Sequence, residues 1–297
     1  YVPYVYNTGF SISWMGGIDF GSGKWNPGMD LDALGQYFNV VTDTLGEPTG
    51  DPDYSGNPTY KEEDLTRASE EEIAKCDYVL VGMSGAYRPS YNAMYTGAFY
   101  GYVPEVEVDE WYPVNLQYGE YVAENAREVS IGGKILEDGT KENRSYKGMT
   151  APAVPNYGDL AALEYAQSAA GDVPVIVSVA MERGMVWSEV EPLADAILVN
   201  YNKQYPDVVA EIILGKTEPS GLLVFQQPAS MDAVEAQTDD VPRDMECYKD
   251  AAGNVYDFAF GMNWAGVIDD ERVKTYSAEP ITKIQSIDYA KYAEANK

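Results

Sequence analysis

Three short apolar runs separated by helical segments, between residues 173 and 228, constrain the fold of this chain most strongly. The first run, Val173-Pro-Val-Ile-Val-Ser-Val179, is rich in β-branched residues, which is typical of a strand buried on both faces of a parallel sheet. The other two runs are Ala196-Ile-Leu-Val199 and Leu222-Leu-Val-Phe225. Because parallel strands need crossover connections, this alternation predicts βαβ units and a mainly parallel sheet.

The segments between these runs predict the crossover helices. Met185 to Leu193 can form a short helix between the first two strands. The next segment, Asp207 to Leu214, places Val208 and Ile212, and less strictly Val209 and Ile213, on one helical face. Gly215 follows as the expected C-terminal cap, since glycine readily adopts the left-handed conformation that ends many helices.

Local patterns predict further elements elsewhere in the chain. Asp77-Tyr-Val-Leu-Val-Gly82 predicts another buried strand of the same sheet, preceded by a helix with Ser69 as its N-cap. The other predicted elements are strands over 1–6 and 39–42, helices over 31–38, 119–129 and 159–170, a long loop over 7–28, an exposed insertion over 46–62, a surface hairpin or loop over 132–150, a loop with a helical turn over 229–242, and a hairpin-like segment over 246–264. The predicted fold class is therefore α/β, with a mainly parallel sheet sandwiched between helices and with long aromatic-rich loops.

Charge and hydropathy exclude several kinds of partner. The chain has 48 acidic and 20 basic residues, which give a formal net charge of −28. Such a field repels phosphate backbones, so we expect no nucleic-acid partner, whereas neutral sugars are not penalised. No apolar run approaches the ~18 residues that a transmembrane helix needs, so we expect no membrane span.

The chain contains no histidine, and this absence removes several catalytic mechanisms. A Ser-His-Asp triad, a Cys-His pair and a His-ligated zinc site cannot be formed. The only cysteines, Cys76 and Cys247, are too few for a four-cysteine metal site, and a free buried pair is favoured over a single disulfide. We expect neither a metal nor a cofactor, and the remaining acids and bases suit carboxylate chemistry.

Two segments in the second half of the chain resemble the α/β sandwich domain of family 3 glycoside hydrolases. The first consists of Ala196-Ile-Leu-Val-Asn-Tyr201, Asp207 to Gly215, and Glu218-Pro-Ser-Gly-Leu-Leu-Val-Phe-Gln-Gln-Pro228. The second, Glu246 to Gly261 followed by Met262-Asn-Trp264, is similar to the closing segment of that family, in which a tyrosine-containing strand leads to a Phe-x-Phe-Gly turn. The resemblance chiefly covers residues 77–83 and 113–268.

The chain departs from the family pattern at two positions. Lys203-Gln-Tyr-Pro206 stands where the family commonly has a Gly-Gln-Glu-Gly-Gly-like run. Gly221-Leu-Leu-Val224 stands where the family has a Gly-Lys-Leu-Pro turn. The fold expectation is unaffected, but individual substrate contacts of the family cannot be carried over to these residues.

The resemblance implies a single α/β sandwich domain over residues 1–297, with a core of about 77–268 and a tail from 271. Family 3 enzymes carry the sugar site and the nucleophilic aspartate in a separate (β/α)8 barrel of ~200 residues or more, which this chain cannot supply. The implied partners are that barrel domain and a carbohydrate, and a homo-oligomer is left open. An extracellular or cell-surface location is expected, and this chain alone is expected to be inactive.

The segment after Gly82 is the first place to look for a functional site, because ligands of open α/β sheets gather at the carboxyl ends of the strands. This segment is rich in aromatic residues, and we expect Tyr87, Tyr91 and Trp111 to contact substrate. In the resembled family, the corresponding loop often carries the acid/base glutamate.

Glu107 and Glu110 are the candidates for that catalytic glutamate. A glutamate needs an apolar wall to raise its pKa enough to donate a proton, and Trp111 with the neighbouring tyrosines can form one. An alternative interpretation is that Glu105-Val-Glu-Val-Asp-Glu110 is an exposed strand with alternating valines.

Two functions from different classes follow. The chain is either the sandwich part of a β-glycosidase that hydrolyses β-glucosides or β-xylosides by a retaining two-carboxylate mechanism, or a non-catalytic sugar-binding or assembly module derived from that family. A flavodoxin-like cofactor binder also suits the βαβ pattern, but the chain lacks a phosphate-binding glycine motif. The presence or absence of an intact barrel in the complete gene product separates the first two.

Overall fold

The computed structural model describes residues 1–7, 11–13, 17–19, 24–52, 56–87, 113–130, 133–238, 241 and 243–276. Within these residues the strands are β1 (Val5–Asn7), β2 (Ser11–Ser13), β3 (Gly17–Asp19), β4 (Lys24–Asn26), β5 (Thr44–Leu45), β6 (Leu65–Thr66), β7 (Val79–Ser84), β8 (Tyr121–Val122), β9 (Thr150–Ala151), β10 (Val175–Met181), β11 (Ala196–Tyr201), β12 (Met262–Asn263) and β13 (Gly266–Val267). The α-helices are α1 (Leu31–Leu34), α2 (Glu70–Ile73), α3 (Tyr157–Ala170), α4 (Pro206–Ile213), α5 (Met231–Ala236) and α6 (Glu271–Tyr276). Short 3₁₀ turns lie at Glu62–Asp64 and Glu191–Leu193.

A three-stranded parallel sheet organises the fold, with β10 between β11 and β7. In its register Val177 lies opposite both Val81 and Ile197. Helix α3 covers one face of the sheet, and helices α1 and α4 cover the other. The predicted α/β class is confirmed, and so are the predicted strands over 78–82, 174–179 and 196–199.

The fourth predicted strand, Leu222–Phe225, is wrong, because this segment bonds to the closing part of the chain instead of to the sheet. The Leu223 N–H donates to the Phe260 carbonyl (2.7 Å), and the Ala259 N–H donates back to the Leu223 carbonyl (2.8 Å). Val224 is 53% exposed, although its apolar neighbours suggested a buried strand. The backbone polar groups of Leu223 are therefore hydrogen-bonded by the closing segment and not by the parallel sheet.

The crossover helix α4 confirms one prediction and corrects another. Gly215 ends the helix at φ +68°, as expected of a left-handed cap. Of the residues predicted to share one face, Val209 is buried, whereas Val208 is 46% exposed. The buried side is centred on Val209 and Ala210 because these residues pack with Leu34 of α1.

Two predicted helices are absent from the described residues. Within Met185–Leu193 only the 3₁₀ turn is helical, since the buried Gln227 side chain accepts from the Met185 N–H (3.1 Å) and from the indole N–H of Trp187 (2.8 Å) and so fixes an irregular backbone. The helix predicted over 119–129 is replaced by turns and by the β8–β9 pair.

The described residues of the predicted 7–28 loop include short strands. Strand β2 pairs antiparallel with β3, and β4 pairs antiparallel with β1. The predicted 31–38 helix is shorter, because it ends as α1 at Leu34 and continues as a turn. The predicted 39–42 strand is reduced to a single bridge between Val2 and Thr42.

Several smaller predictions are confirmed. Ser69 caps α2 in a reciprocal arrangement with Glu72, and α3 buries Leu160 and Leu163. Hairpins occur within the predicted 132–150 and 246–264 segments. Both cysteines are free, but they are half-buried, whereas a buried pair was expected.

Asp43 is a buried polar hub close to the N-terminus. Its carboxylate accepts hydrogen bonds from the Tyr1 hydroxyl (2.5 Å) and the Ala68 N–H (3.0 Å), and it pairs with Arg67 at 2.7 Å. The Arg67 guanidinium also lies 5.0 Å from the ring centroid of Tyr165. These contacts compensate the buried charge and tie the first residues to the chain before α2.

Among the residues that the structure describes, no helix is long and apolar enough to cross a membrane.

Candidate active site at the carboxyl edge of the sheet

The carboxyl edge of the sheet is formed by the ends of the three parallel strands, at Ser84, Met181 and Tyr201. This edge is where open α/β sheets bind ligands, because the loops that follow adjacent strands meet there. Two chain segments leave the edge close together, one after Ser84 and one after Met181.

Ser84 is held by side chains from other parts of the chain. Its N–H donates to the Asp159 carboxylate (2.8 Å), and its carbonyl accepts from the Tyr118 hydroxyl (2.6 Å) and the Asn156 amide (3.0 Å). Asp159 is buried in the first turn of α3, where a negative charge suits the helix dipole. The exit of the chain from β7 is therefore fixed from several directions.

The segment that returns after residue 112 is anchored as well. The Glu189 carboxylate accepts hydrogen bonds from the Tyr118 N–H (2.6 Å) and from the Gly119 N–H (3.0 Å). The Val186 N–H donates to the Leu116 carbonyl (2.8 Å). The loop between β10 and β11 thus holds the returning segment at the same edge.

Tyr118 links the exit and the return. Its side chain is fully buried, and burial, together with the nearby Asp159 and Glu189, raises the pKa of its hydroxyl well above the ordinary value. The hydroxyl is therefore protonated at neutral pH, where it donates to the Ser84 carbonyl.

The exposed part of the edge combines an aromatic ring with a pair of opposite charges. The Arg183 guanidinium lies 3.6 Å from the centroid of the Tyr87 ring, a cation–π contact. Arg183 also pairs with Glu182 at 3.4 Å, and both of these side chains are largely solvent-accessible. Ligand sites commonly combine aromatic side chains with a small number of polar or charged groups.

A polar network around the buried Ser178 side chain lies next to the carboxyl edge of the sheet. The Ser178 hydroxyl donates to the Gln204 side-chain oxygen (2.6 Å) and accepts from the Asn200 amide (2.8 Å). The Gln204 amide donates to the Met83 carbonyl (2.8 Å) and to the Ser178 carbonyl (2.7 Å). These hydrogen bonds join Met83 of β7, Ser178 of β10 and Asn200 of β11, so the network restricts the relative movement of the three strands.

A second buried carboxyl lies beside the returning segment. Glu235 of α5 accepts from the Tyr121 hydroxyl (3.3 Å) through one oxygen, and within the described residues its other oxygen has no hydrogen-bond partner. Burial, with a further contribution from Asp232, raises the pKa of Glu235, while the Tyr121 hydrogen bond lowers it. This carboxyl is therefore more readily protonated than an exposed glutamate.

Tyr87 is the one predicted site residue that the structure describes, and it lies at the predicted edge. Glu107, Glu110, Trp111 and Tyr91 fall outside the described residues. Sequence reasoning missed Arg183 and Tyr118. Arg183 was open to the rule that selected Tyr87, because it lies two residues after the end of a strand, whereas no sequence signal connects Tyr118 to Ser84.

Within the described part of the chain, no group of three or more Cys, Asp or Glu side chains is arranged to hold a metal ion.

Comparison with known proteins finds partial similarity to beta-glucosidases. Beta-glucosidase C of Emericella nidulans is 39% identical over 74 residues, which is 25% of this chain and 12% of that protein. The probable beta-glucosidase C of Aspergillus flavus and that of Aspergillus oryzae are each 34% identical over 93 residues, which is 31% of this chain and 14% of each relative. No protein-family model matches the chain, and no solved structure matches it significantly.

The matched regions cover only 12% to 14% of the length of each relative. They support a relationship to glycoside hydrolases. They do not identify which domain of such an enzyme the chain represents.

Proposed function

We propose that this chain is the sandwich-domain part of a β-glycosidase that hydrolyses β-glucosides or β-xylosides with retention of configuration. The observation that carries this proposal is the 39% identity to a beta-glucosidase over 74 residues. The parallel sheet supports it, because its carboxyl edge presents a ring and charged groups of the kind that sugars bind.

The proposed mechanism divides the two carboxyl groups between two domains. Retaining glycosidases place a nucleophile and a general acid about 5 Å apart across the scissile bond. A (β/α)8 barrel, encoded elsewhere in the gene product or on another chain, supplies the nucleophile. This chain supplies the acid, either Glu107 or Glu110, from the segment that leaves the edge after Ser84.

The acid must be protonated before it can assist the departure of the leaving group. In the proposed site, Trp111 and the neighbouring tyrosines form an apolar wall that raises the pKa of the glutamate, and Tyr87, Tyr91 and Trp111 contact the sugar. Tyr87 supports this arrangement, since it lies at the edge from which the segment departs.

Charge and location complete the proposal. A net charge of −28 does not impede a neutral glycoside, and the proposed enzyme acts outside the cell or at its surface. Fractionation of the source cells, with detection of the chain by antibody, tests the location.

The alternative, a non-catalytic assembly module, is favoured by one exposed apolar hairpin. Met262 and Val267 lie opposite each other on β12 and β13, and Trp264 lies in the turn between these strands. All three side chains are about half exposed. Contiguous exposed apolar side chains can mark a surface that contacts another protein.

Substrates with different leaving groups test the proposed acid. In the complete gene product we expect replacement of the true acid by alanine to reduce hydrolysis of an alkyl β-glucoside far more than hydrolysis of a 4-nitrophenyl β-glucoside. The activated aryl group departs without protonation, whereas the alkoxide does not. Typical general acid catalysis contributes 10²–10⁴-fold, so the ratio of the two rates should change by about 100-fold.

Glu107→Ala and Glu110→Ala are compared in this experiment, and Glu105→Ala is the matched control from the same acidic run. A changed ratio in one of the first two variants supports the proposal and identifies the acid. An unchanged ratio in both variants of an active enzyme means that the acid lies elsewhere.

A further inference from the structure

Ser84 is the point from which the chain leaves the sheet, and both of its backbone polar groups are engaged by side chains. The bond from its N–H reaches Asp159, 75 residues away, and the bond to its carbonyl comes from Tyr118, 34 residues away. Because hydrogen bonds weaken steeply when donor and acceptor are misaligned, contacts on both the N–H and the carbonyl restrict the orientation of the Ser84 backbone.

Tyr118 is held at its other end by Glu189. The bidentate Glu189 carboxylate accepts the backbone N–H groups of Tyr118 and Gly119, so the tyrosine backbone is fixed while its hydroxyl reaches Ser84. Glu189 belongs to the connection between β10 and β11, two strands of the rigid sheet. Through Tyr118, both Ser84 and the segment at residues 118–119 are thereby attached to the β10–β11 connection.

We propose that Tyr118 and Glu189 are positioning residues that fix the distance between Ser84, where the chain leaves the carboxyl edge, and residue 118, where it has returned. This inference rests on the proposed function, because the stretch between these two points carries the candidate acids. Catalytic groups misplaced by about 1 Å can lose about 100-fold in rate. Loosening the fastening should therefore slow the step that needs the acid without weakening substrate binding.

Tyr118→Phe tests the proposal because it removes only the hydroxyl. Tyr165→Phe is the matched control, since the Tyr165 hydroxyl likewise donates to a backbone carbonyl, that of Ala68 (2.7 Å), in the same hydrophobic cluster but not at the edge. Glu189→Gln is a second test variant, which keeps one acceptor oxygen and is used if Tyr118→Phe does not fold. Two measurements are made on each variant.

The first measurement is amide hydrogen exchange of residues 84–87 and 113–119 in the 297-residue chain. The second is kcat and KM of the complete gene product with alkyl and 4-nitrophenyl β-glucosides, including the pH profile of kcat. We expect Tyr118→Phe to exchange faster in these residues and to lose about tenfold in kcat for the alkyl glucoside, with a smaller loss for the aryl glucoside and little change in KM. We expect Tyr165→Phe to show neither effect.

Equal amide exchange in Tyr118→Phe and Tyr165→Phe would show that the Tyr118 hydroxyl does not hold the chain at Ser84. Faster exchange in Tyr118→Phe with an unchanged ratio of kcat for the alkyl and 4-nitrophenyl glucosides would show that Tyr118 does not position the acid. The proposed function fails separately, if the wild-type gene product hydrolyses no glycoside. In that event faster exchange confined to Tyr118→Phe still supports the fastening of the edge, and equal exchange overturns it.

Discussion

The parallel sheet and its carboxyl edge are held together by different kinds of interaction. Val79, Val177 and Leu163 are fully buried in the sheet and its covering helix, where apolar contacts are non-directional and many residue types suffice. At the edge, Ser84 and Tyr118 are fixed by individual hydrogen bonds, each of which needs a particular atom in a particular place. The sheet is therefore robust to conservative changes, whereas the edge depends on a few side chains.

The largest expected effect lies in the sheet. Leu163→Ala leaves a cavity between α3 and the sheet, and we expect a loss of about 2–5 kcal/mol in the free energy of unfolding, measured with urea. Val208→Ala, on the exposed face of α4, is the control and should change this free energy by less than about 0.5 kcal/mol. Equal losses would show that the buried face of α3 does not stabilise the sheet as described.

At the edge, Asp159→Ala should have a smaller effect. The substitution leaves the Ser84 N–H without its carboxylate acceptor, and we expect a loss of about 1–3 kcal/mol in unfolding free energy. Asp159→Asn keeps an acceptor oxygen and should recover most of this stability. If the asparagine variant is as unstable as the alanine variant, the charge of Asp159, rather than its hydrogen bond, holds the edge.

The smallest expected effect on stability is that of Glu235→Gln, and it depends on pH. Its pKa in the folded protein is raised, so between the usual glutamate pKa and this raised value the folded protein binds more protons than the unfolded protein. Stability is therefore lost as the pH rises through that interval. We expect the wild type to lose stability relative to Glu235→Gln over this range, measured by thermal unfolding at several pH values, and parallel curves would contradict the raised pKa.

The same contrast explains what could be predicted from the sequence. The strands at 78–82, 174–179 and 196–199 were predictable because β-branched apolar runs are local signals of buried strands. Leu222–Phe225 is also apolar, but it pairs with residues more than thirty positions later, and an apolar composition does not reveal that choice. The exposure of Val208 on α4 was not predicted for a related reason, since the buried face depends on packing against α1.

The candidate site was less predictable than the sheet. Tyr87 was selected by a positional rule, that ligands gather where parallel strands end, and it lies three residues after the end of β7, while its contact with a sugar stays a prediction. Tyr118, Glu189 and Asp159 were not found, because their roles depend on hydrogen bonds between residues 34 to 75 positions apart. The prediction that Glu107 or Glu110 is the catalytic acid stays a prediction, because both residues fall outside the described part of the chain.

The central claim, that this chain is one part of a β-glycosidase whose nucleophile lies elsewhere, is tested most directly by comparing two proteins side by side. Hydrolysis of 4-nitrophenyl β-glucoside and β-xyloside is measured for the complete gene product and for the pure 297-residue chain. We predict turnover by the complete product and none by the chain alone. Turnover by the chain alone that is abolished by a substitution within it, or a complete product that hydrolyses neither substrate, would contradict the claim.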